Sequence, residues 1–572
     1  MKAPFSSLLI LLINFTVCAQ SIRLKIADSE YNNMNYSEAI RYYAEYLSSH
    51  PDDSSVNKKI AVCYRMTGGL KNAKPYYCKL IKLGDNDPYN YLYYAQALAQ
   101  NLKYDSAAIW YTRFSIVKPR DKRGKRMAEA YNNIAIFYTD TLYYKIKPVS
   151  FNSPQSDFSP AYFKNGLVYL SNRSKGSGEK FPAEEKKTNF LTYYFFDFAD
   201  SSVKNFIPGI ASKLNEGPAT FNAEQNVIFF TQNNDFKAGK NKSGRTTLQI
   251  YSANLKNGKW GKFEKLPFEK DEYSYGHPAL NKNNTLLYFI SDMPGGYGGT
   301  DIYVCEYKNG IWGTPANLGP IINTEGNEMF PFVDEMDNLY FASDGHPGLG
   351  GLDIFKATPE NGTYKEVKNI GSPVNSNDDD FGWIIDKRNN TGYFCSNRPG
   401  GAGNDDIYSF KFNSPSIELS LVDKTNEQPV DSALVELFSN QDSIKTFVTA
   451  LNGSCTINYD AKKNYELQIT KKGYLPYYFK FSSEILPDME EIRVPLSSNV
   501  DCSLQGMAVK DDGKEPVAGA NIILLNLATG KVAKVITGND GKYRFNLRPN
   551  FKYNLSVDIP DKNFISPVLN IS

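Results

Sequence analysis

Residues 291–303 read SDMPGGYGGTDIY, and their reading decides the fold. The motif returns as SDGHPGLGGLDIF at 343–355 and as SNRPGGAGNDDIY at 396–408. Each copy follows a short apolar run, LLYFI (286–290), LYFA (339–342) or GYFC (392–395). Each ends in an Asp-Ile-aromatic triplet that opens a second run. A Gly-rich link between two β-patterned runs is a hairpin signal, and its return at near-constant spacing marks a repeat fold.

Working outward, four strands a to d emerge per repeat. Strand a carries SPAYF (159–163), GPATF (217–221), GHPAL (276–280), MFPFV (329–333) and DFGWI (380–384). Strand c begins at TYYFF (192–196), LQIYS (248–252) and the three triplets. The c–d turns Asn257-Gly258, Asn309-Gly310 and Asn361-Gly362 carry the type I′ signature. The fifth set ends at Phe412 with no strand d, whereas YYKIKPVSF (143–151) reads as a strand d like KWGKFEKLPF (259–268). That segment is expected to complete the last set, giving a five-bladed β-propeller over 143–413. The loop pattern resembles the Asp-rich, WD-like propeller repeat of the Tol-system periplasmic protein. It is degraded in copies one (171–180) and two (231–245). Asp301, Asp353 and Asp406 are expected to fix turns by accepting backbone amides, with calcium binding as the minor alternative. Asp378, Asp379 and Asp380 are expected in a solvated loop between blades.

Residues 20–121 carry a period of 34. Tyr36, Leu70 and Tyr104 are in register, as are Ala39, Ala73 and Ala107; Tyr43, Tyr77 and Tyr111; and Ala27, Ala61 and Ala95. Small residues at fixed positions let helices approach, and aromatics fill the gaps. The period and these positions resemble the tetratricopeptide repeat. The expected domain at 20–140 is an α-helical solenoid of three repeats, with a capping helix over roughly 121–138. The resemblance implies a concave groove faced by Tyr31, Lys58, Arg65 and Gln96. Two readings of the groove stay open, peptide binding and packing on the next domain. The basic run Lys118 to Arg126 is read as solvated surface.

Beyond the propeller, alternating strands with Asn-Gly or Asp-Gly turns predict two small β-sandwiches, at 415–498 and 500–572. Their core pieces, KEPVAGANIILL (514–525) with TGNDGKYRFNL (537–547) and more loosely EQPVDSALVELF (427–438), resemble the carboxypeptidase regulatory-like domain, a transthyretin-like module. The resemblance implies a non-catalytic spacer or interaction role.

The chain of 572 residues carries 64 Lys plus Arg against 62 Asp plus Glu, which argues against a dedicated nucleic-acid binder. Residues 1–19 read as a secretory signal peptide, an apolar run closed by Val17-Cys18-Ala19. The mature chain is therefore expected to be secreted across the inner membrane, with no transmembrane segment; a periplasmic, outer-membrane-associated place is implied only by the family that the domain order resembles. Cys63, Cys78, Cys305, Cys395, Cys455 and Cys502 form no C-x-x-C pair, so they read as buried apolar thiols. Only His50, His277 and His346 are present, in different repeats. Nucleophile-elbow, zincin and P-loop motifs are absent. No catalytic residue, metal site or cofactor is expected.

Signal peptide, tetratricopeptide repeats, WD-like propeller and regulatory-like β-domains, in that order, resemble the Bacteroidota envelope proteins of the OmpA family. Those proteins usually end in a peptidoglycan-binding OmpA-like domain and are associated with type IX secretion and gliding. No such domain is read before Ser572, so wall anchoring is not carried over. The resemblance implies a scaffold whose partners are other envelope proteins, among them an outer-membrane complex. The other reading is a glycan- or small-ligand-binding propeller.

Overall fold

A computed structural model describes residues 22–139, 143–173, 190–206, 215–233, 246–386, 388, 390–412, 416–439, 442–459, 464–482, 491–498, 502–510, 513–547, 551–559 and 569–571. The expected signal peptide and most of the first two loop copies lie outside them. The chain divides into two compact units, Met1–Asn413 and Ser414–Ser572.

The first unit begins with helical hairpins: α1 (22–32), α2 (Tyr36–Leu47), α3 (Ser54–Met66), α4 (Leu70–Lys82), α5 (Tyr89–Gln100), α6 (Tyr104–Val117) and α7 (Arg123–Tyr131). Asp53 starts α3 by accepting the Val56 N–H at 3.1 Å, a side-chain N-cap. The period-34 residues form the interior. Ala27, Ala39, Ala61, Ala73, Ala95 and Ala107 are fully buried, and Tyr43, Tyr77 and Tyr111 fill the space their small side chains leave. The capping helix expected over 121–138 is shorter. It stops at Tyr131, before Asn132 and Asn133, and resumes as a 3₁₀ turn over Ile134–Tyr138. Asparagine competes for its own backbone and disfavours a helix interior. The break lets Phe137 fold into the helical core while its carbonyl accepts from Ser372 N–H at 2.7 Å.

Five antiparallel sheets come next. Their innermost strands are Asp157–Phe163, Glu216–Phe221, Tyr275–Leu280, Glu328–Val333 and Asp380–Asp386. These contact one another in order, and the fifth contacts the first, so the sheets close a ring. The fifth sheet takes its outer strand from the other end of the ring. Tyr144–Pro148 pairs with Asp406–Phe412, from Tyr144 opposite Phe412 to Pro148 opposite Tyr408. The Asn-Gly turns have positive φ at both residues, 50° and 74° at 257–258, 53° and 82° at 309–310, 50° and 76° at 361–362, as a type I′ turn requires. Each inner strand also carries a bulge at the same place, one not foreseen from the alternation pattern. Ser159, His277, Phe330 and Gly382 occupy it with φ of 54°, 50°, 51° and 64°. A bulge turns the strand sharply and frees an N–H to point sideways.

The second unit holds two β-structures. In the first, Ser416–Asp423 pairs antiparallel with Ser454–Asn458 and parallel with Glu491–Leu496, and a four-stranded sheet faces it. Alternate residues Ile417, Leu419 and Leu421 are buried against Val435, Leu437 and Leu467. In the second, Cys502–Met507 pairs with Lys542–Leu547 beside a sheet built on Asn521–Asn526.

Trp383 is buried in sheet five and stacks on Phe410 with ring centroids 4.0 Å apart. Trp383→Ala should destabilise the first unit by about 3–5 kcal/mol, read as a lowered urea midpoint.

Candidate functional site

The b–c loops of sheets three, four and five share one polar design. Asp301 accepts Tyr297 N–H at 2.7 Å, Gly298 N–H at 3.1 Å and the Asn317 amide at 2.7 Å. Asp353 accepts Leu349 N–H at 3.0 Å and Gly350 N–H at 2.9 Å, and Asp406 accepts Gly403 N–H at 3.0 Å. In sheet two the strand register places Gln249 at this position. Among the described residues no group of three or more His, Cys, Asp or Glu side chains is disposed to hold a metal ion.

A shared design presents different tips. Four residues before each aspartate stand Tyr297, Leu349 and Ala402. Tyr297 is 48% exposed, whereas Leu349 is buried among Leu98, Ala99, Tyr131 and Phe137 of the helices. The fourth loop is thus the seat of the helical array. Tyr104 donates its hydroxyl to the Leu349 carbonyl at 3.1 Å, and Asn377 donates its amide to the Gln100 carbonyl at 2.7 Å. Lys71 pairs with Asp378 on one side. On the other, Arg126 pairs with Glu325 at 2.5 Å, and the same carboxylate accepts Lys122 N–H at 2.9 Å.

Two expectations change here. The acidic run 378–380 is not solvated, because each carboxylate has its own donors. Asp378 meets Lys71, and Asp379 accepts Leu352 N–H at 2.9 Å and the Asn397 amide at 3.0 Å. Asp380 is fully buried and pairs with Arg398 at 2.5 Å. Burial pushes Asp379 up to about 6. The basic run 118–126 is only partly solvent-facing, since Arg123 is buried on Asp121 at 2.7 Å and Arg126 belongs to the seat. Sequence reasoning missed Leu349, Lys71, Gln100 and Tyr104 as contact residues. The available signal was the aliphatic pair Leu349 and Leu352, where the other two intact copies carry Tyr297 with Thr300 and Ala402 with Asp405.

The four groove residues separate. Gln96 is buried within the stack. Lys58 pairs with Asp87 of the next hairpin at 2.9 Å. Tyr31 is half-buried and packs edge-on against Tyr36 and Tyr43 at 5.8 and 6.3 Å. Arg65 lies over the Tyr93 ring at 4.5 Å, and its Nε is enclosed with no hydrogen-bond acceptor.

A second candidate lies at the ring axis, a cavity of about 190 Å³ lined by all five bulged strands, with Pro160, Pro218, Pro278 and Pro331 around it. His277 N–H donates to Thr231 Oγ1 at 2.8 Å, and its Nδ1 accepts Phe330 N–H at 3.2 Å. Burial pushes this imidazole down to about 3. It is a neutral structural acceptor between adjacent sheets.

Residues 503–561 match the carboxypeptidase regulatory-like domain. No curated protein matches the chain. Among solved structures, a putative TolB from Agrobacterium tumefaciens is 12% identical with a TM-score of 0.28, covering 62% of this chain and 93% of its own. A gluconolactonase from Xanthomonas campestris is 13% identical with a TM-score of 0.29, covering 49% and 92%. The first tetratricopeptide domain of Spaghetti, solved with an HSP90 peptide, is 15% identical with a TM-score of 0.18, covering 20% and 91%. Among the described residues no helix is long and apolar enough to cross a membrane.

Leu349→Asp puts a charge into the helical core and should release the helices from the ring, at about 3 kcal/mol or more. Hydrogen exchange should then rise across α5 to α7 while the strands of sheets one to three keep their protection.

Proposed function

We propose that this chain is a non-catalytic envelope scaffold, periplasmic and associated with the outer membrane. A tetratricopeptide-type solenoid and a five-bladed propeller hold partner proteins, with two carboxypeptidase-regulatory-like sandwiches beyond them. The observation that carries this reading is the seat of the helices. One loop of the ring occupies the third-repeat end of the array through Leu349 and fixes it by paired charges on both flanks. The solenoid is held as a rigid arm on the ring, with Tyr31 and Arg65 of the first two repeats still presented. Fixed relative placement of two binding surfaces suits a scaffold, because it removes ordering entropy from assembly. Arg65 supports a protein partner with acidic groups, since its guanidinium has an aromatic support and no carboxylate partner among the described ion pairs. Service in type IX secretion or gliding machinery is the place that the domain order supports. The axial cavity favours a second reading, a propeller that takes a small ligand or glycan.

Arg65→Glu with Tyr31→Ala should abolish recovery of envelope proteins after cross-linking in cells, while the melting temperature stays within a few degrees of wild type. Recovery of free chain alone from wild-type cells would count against the scaffold. Glycan-array binding lost on Ala219→Trp, which fills the axis, would favour the second reading.

A further inference from the structure

In three of the sheets one asparagine clasps strand c to the segment beyond strand d. Asn323 accepts Ile302 N–H at 2.8 Å and donates to Ile302 C=O at 3.0 Å. Asn375 does the same to Ile354, both at 2.8 Å. Asn152 does the same to Ile407 at 3.1 and 2.9 Å, from the segment that closes the ring. The backbone repeats around each clasp: Leu318, Ile370 and Val149 donate their N–H to the same three carbonyls. Sheet two keeps this frame. Leu266 N–H donates to Ile250 C=O at 3.2 Å, and three residues on stands Glu269, as Asn152 stands three beyond Val149. The segments align as Val149-Ser150-Phe151-Asn152 and Leu266-Pro267-Phe268-Glu269.

Glu269 makes half of the clasp. Its Oε1 accepts Ile250 N–H at 2.9 Å, and its Oε2 is buried with no partner. The other three clasps place an amide N–H donor there, aimed at the carbonyl. An ionised carboxylate has only acceptors, whereas a protonated one has an O–H donor beside an accepting oxygen, the same pair that an amide offers.

We propose that Glu269 carries a proton at neutral pH and serves as an amide substitute, so that deprotonation breaks the donor half of the sheet-two clasp. In sheet one the equivalent N–H, that of Tyr193, goes to Glu216 Oε2 at 3.0 Å from the next inner strand. The surroundings favour the neutral acid. Burial is the largest influence and pushes Glu269 up to about 8. The facing charges are Lys265 and Asp271, which pair with each other at 2.5 Å. Facing hydroxyls come from Tyr275, whose oxygen accepts Lys270 N–H at 3.4 Å, with Tyr273 and Asp292 beyond it. Gln249, beside Ile250 in the chain, adds no charge; its amide nitrogen donates to Thr247 Oγ1 at 3.3 Å and to the Tyr273 carbonyl at 3.1 Å. A proton lost from Oε2 would leave a buried carboxylate oxygen with no donor, while the Ile250 N–H bond to Oε1 and the Leu266 N–H bond to the Ile250 carbonyl stay, so the segment Glu264–Glu269 would be held to strand c less tightly.

The raised folded value sets the sign. The clasp is at full strength below the unfolded carboxyl value near 4.3 and weakens as pH rises through about 8. Glu269→Gln is a permanent amide. In the full chain, the ratio of wild-type to Glu269→Gln unfolding constants should rise about tenfold per pH unit from about pH 5 to about pH 8, then level off. Parallel profiles for the two proteins would overturn the proposal. Carbon-13 titration of the wild-type Glu269 carboxyl asks the same question without relying on a folded variant. A midpoint near 8 supports the proposal, and one near 4 to 5 overturns it.

Discussion

Ring closure by Tyr144–Pro148 is the constraint on which the first unit depends. Without it, strand Asp406–Phe412 would be an open edge with unpaired N–H and C=O groups. The closing strand comes from the amino-terminal side of the ring, so it also fixes where the helices must arrive. The helical array ends at Tyr138, and the strand begins at Tyr144. So short a link leaves the last helices beside sheets four and five. That is where Phe137 receives Ser372 N–H and where Leu349 enters the helical core. The seat is thus a consequence of how the ring is closed, refined by side chains that suit it.

The b–c loops show how one backbone design can be used in more than one way. Asp301, Asp353 and Asp406 each hold the same turn by accepting its amides, which makes each tip rigid before anything touches it. A rigid tip loses little entropy on contact, so a single substitution at the tip changes its role. Leucine at 349 makes it a knob for helices. Tyrosine at 297 leaves a ring in solvent on a loop that rests on residues 324–327, next to the carboxylate that binds Arg126. The acidic groups beneath the loops tolerate burial because each has its own donors: Arg173 on Asp157, Arg398 on Asp380, Thr324 and Ser343 on Glu328.

Much of this was legible in the residues. Alanines and tyrosines at period 34 mark helix contacts, because helix spacing depends directly on side-chain size. The Asn-Gly turns and the displaced strand d give the sheets and their closure, since each reports a backbone need at one position. The bulges were not legible, because an inserted residue on an apolar strand leaves alternation blurred rather than broken. The burial of Asp378–Asp380 was not legible either, because it depends on Lys71 and Arg398, one of them distant in sequence. Of the groove residues, the period placed all four on first helices. It could not show that Gln96 would be enclosed or Lys58 taken by Asp87, since neighbouring hairpins decide those contacts.

Repetition also exposes what is particular to each sheet. Where sheets three, four and five satisfy a backbone N–H and C=O with one asparagine, sheet two meets the N–H with a carboxyl group. Judged alone, Glu269 is one more buried acid in a ring that has several. Judged against Asn152, Asn323 and Asn375, it sits in a frame whose backbone dictates both a donor and an acceptor, and only its neutral form provides both. The same comparison isolates Leu349 from Tyr297 and Ala402. In a repeat fold the common positions explain why the chain closes, and function is to be sought at the positions that break the register's rule.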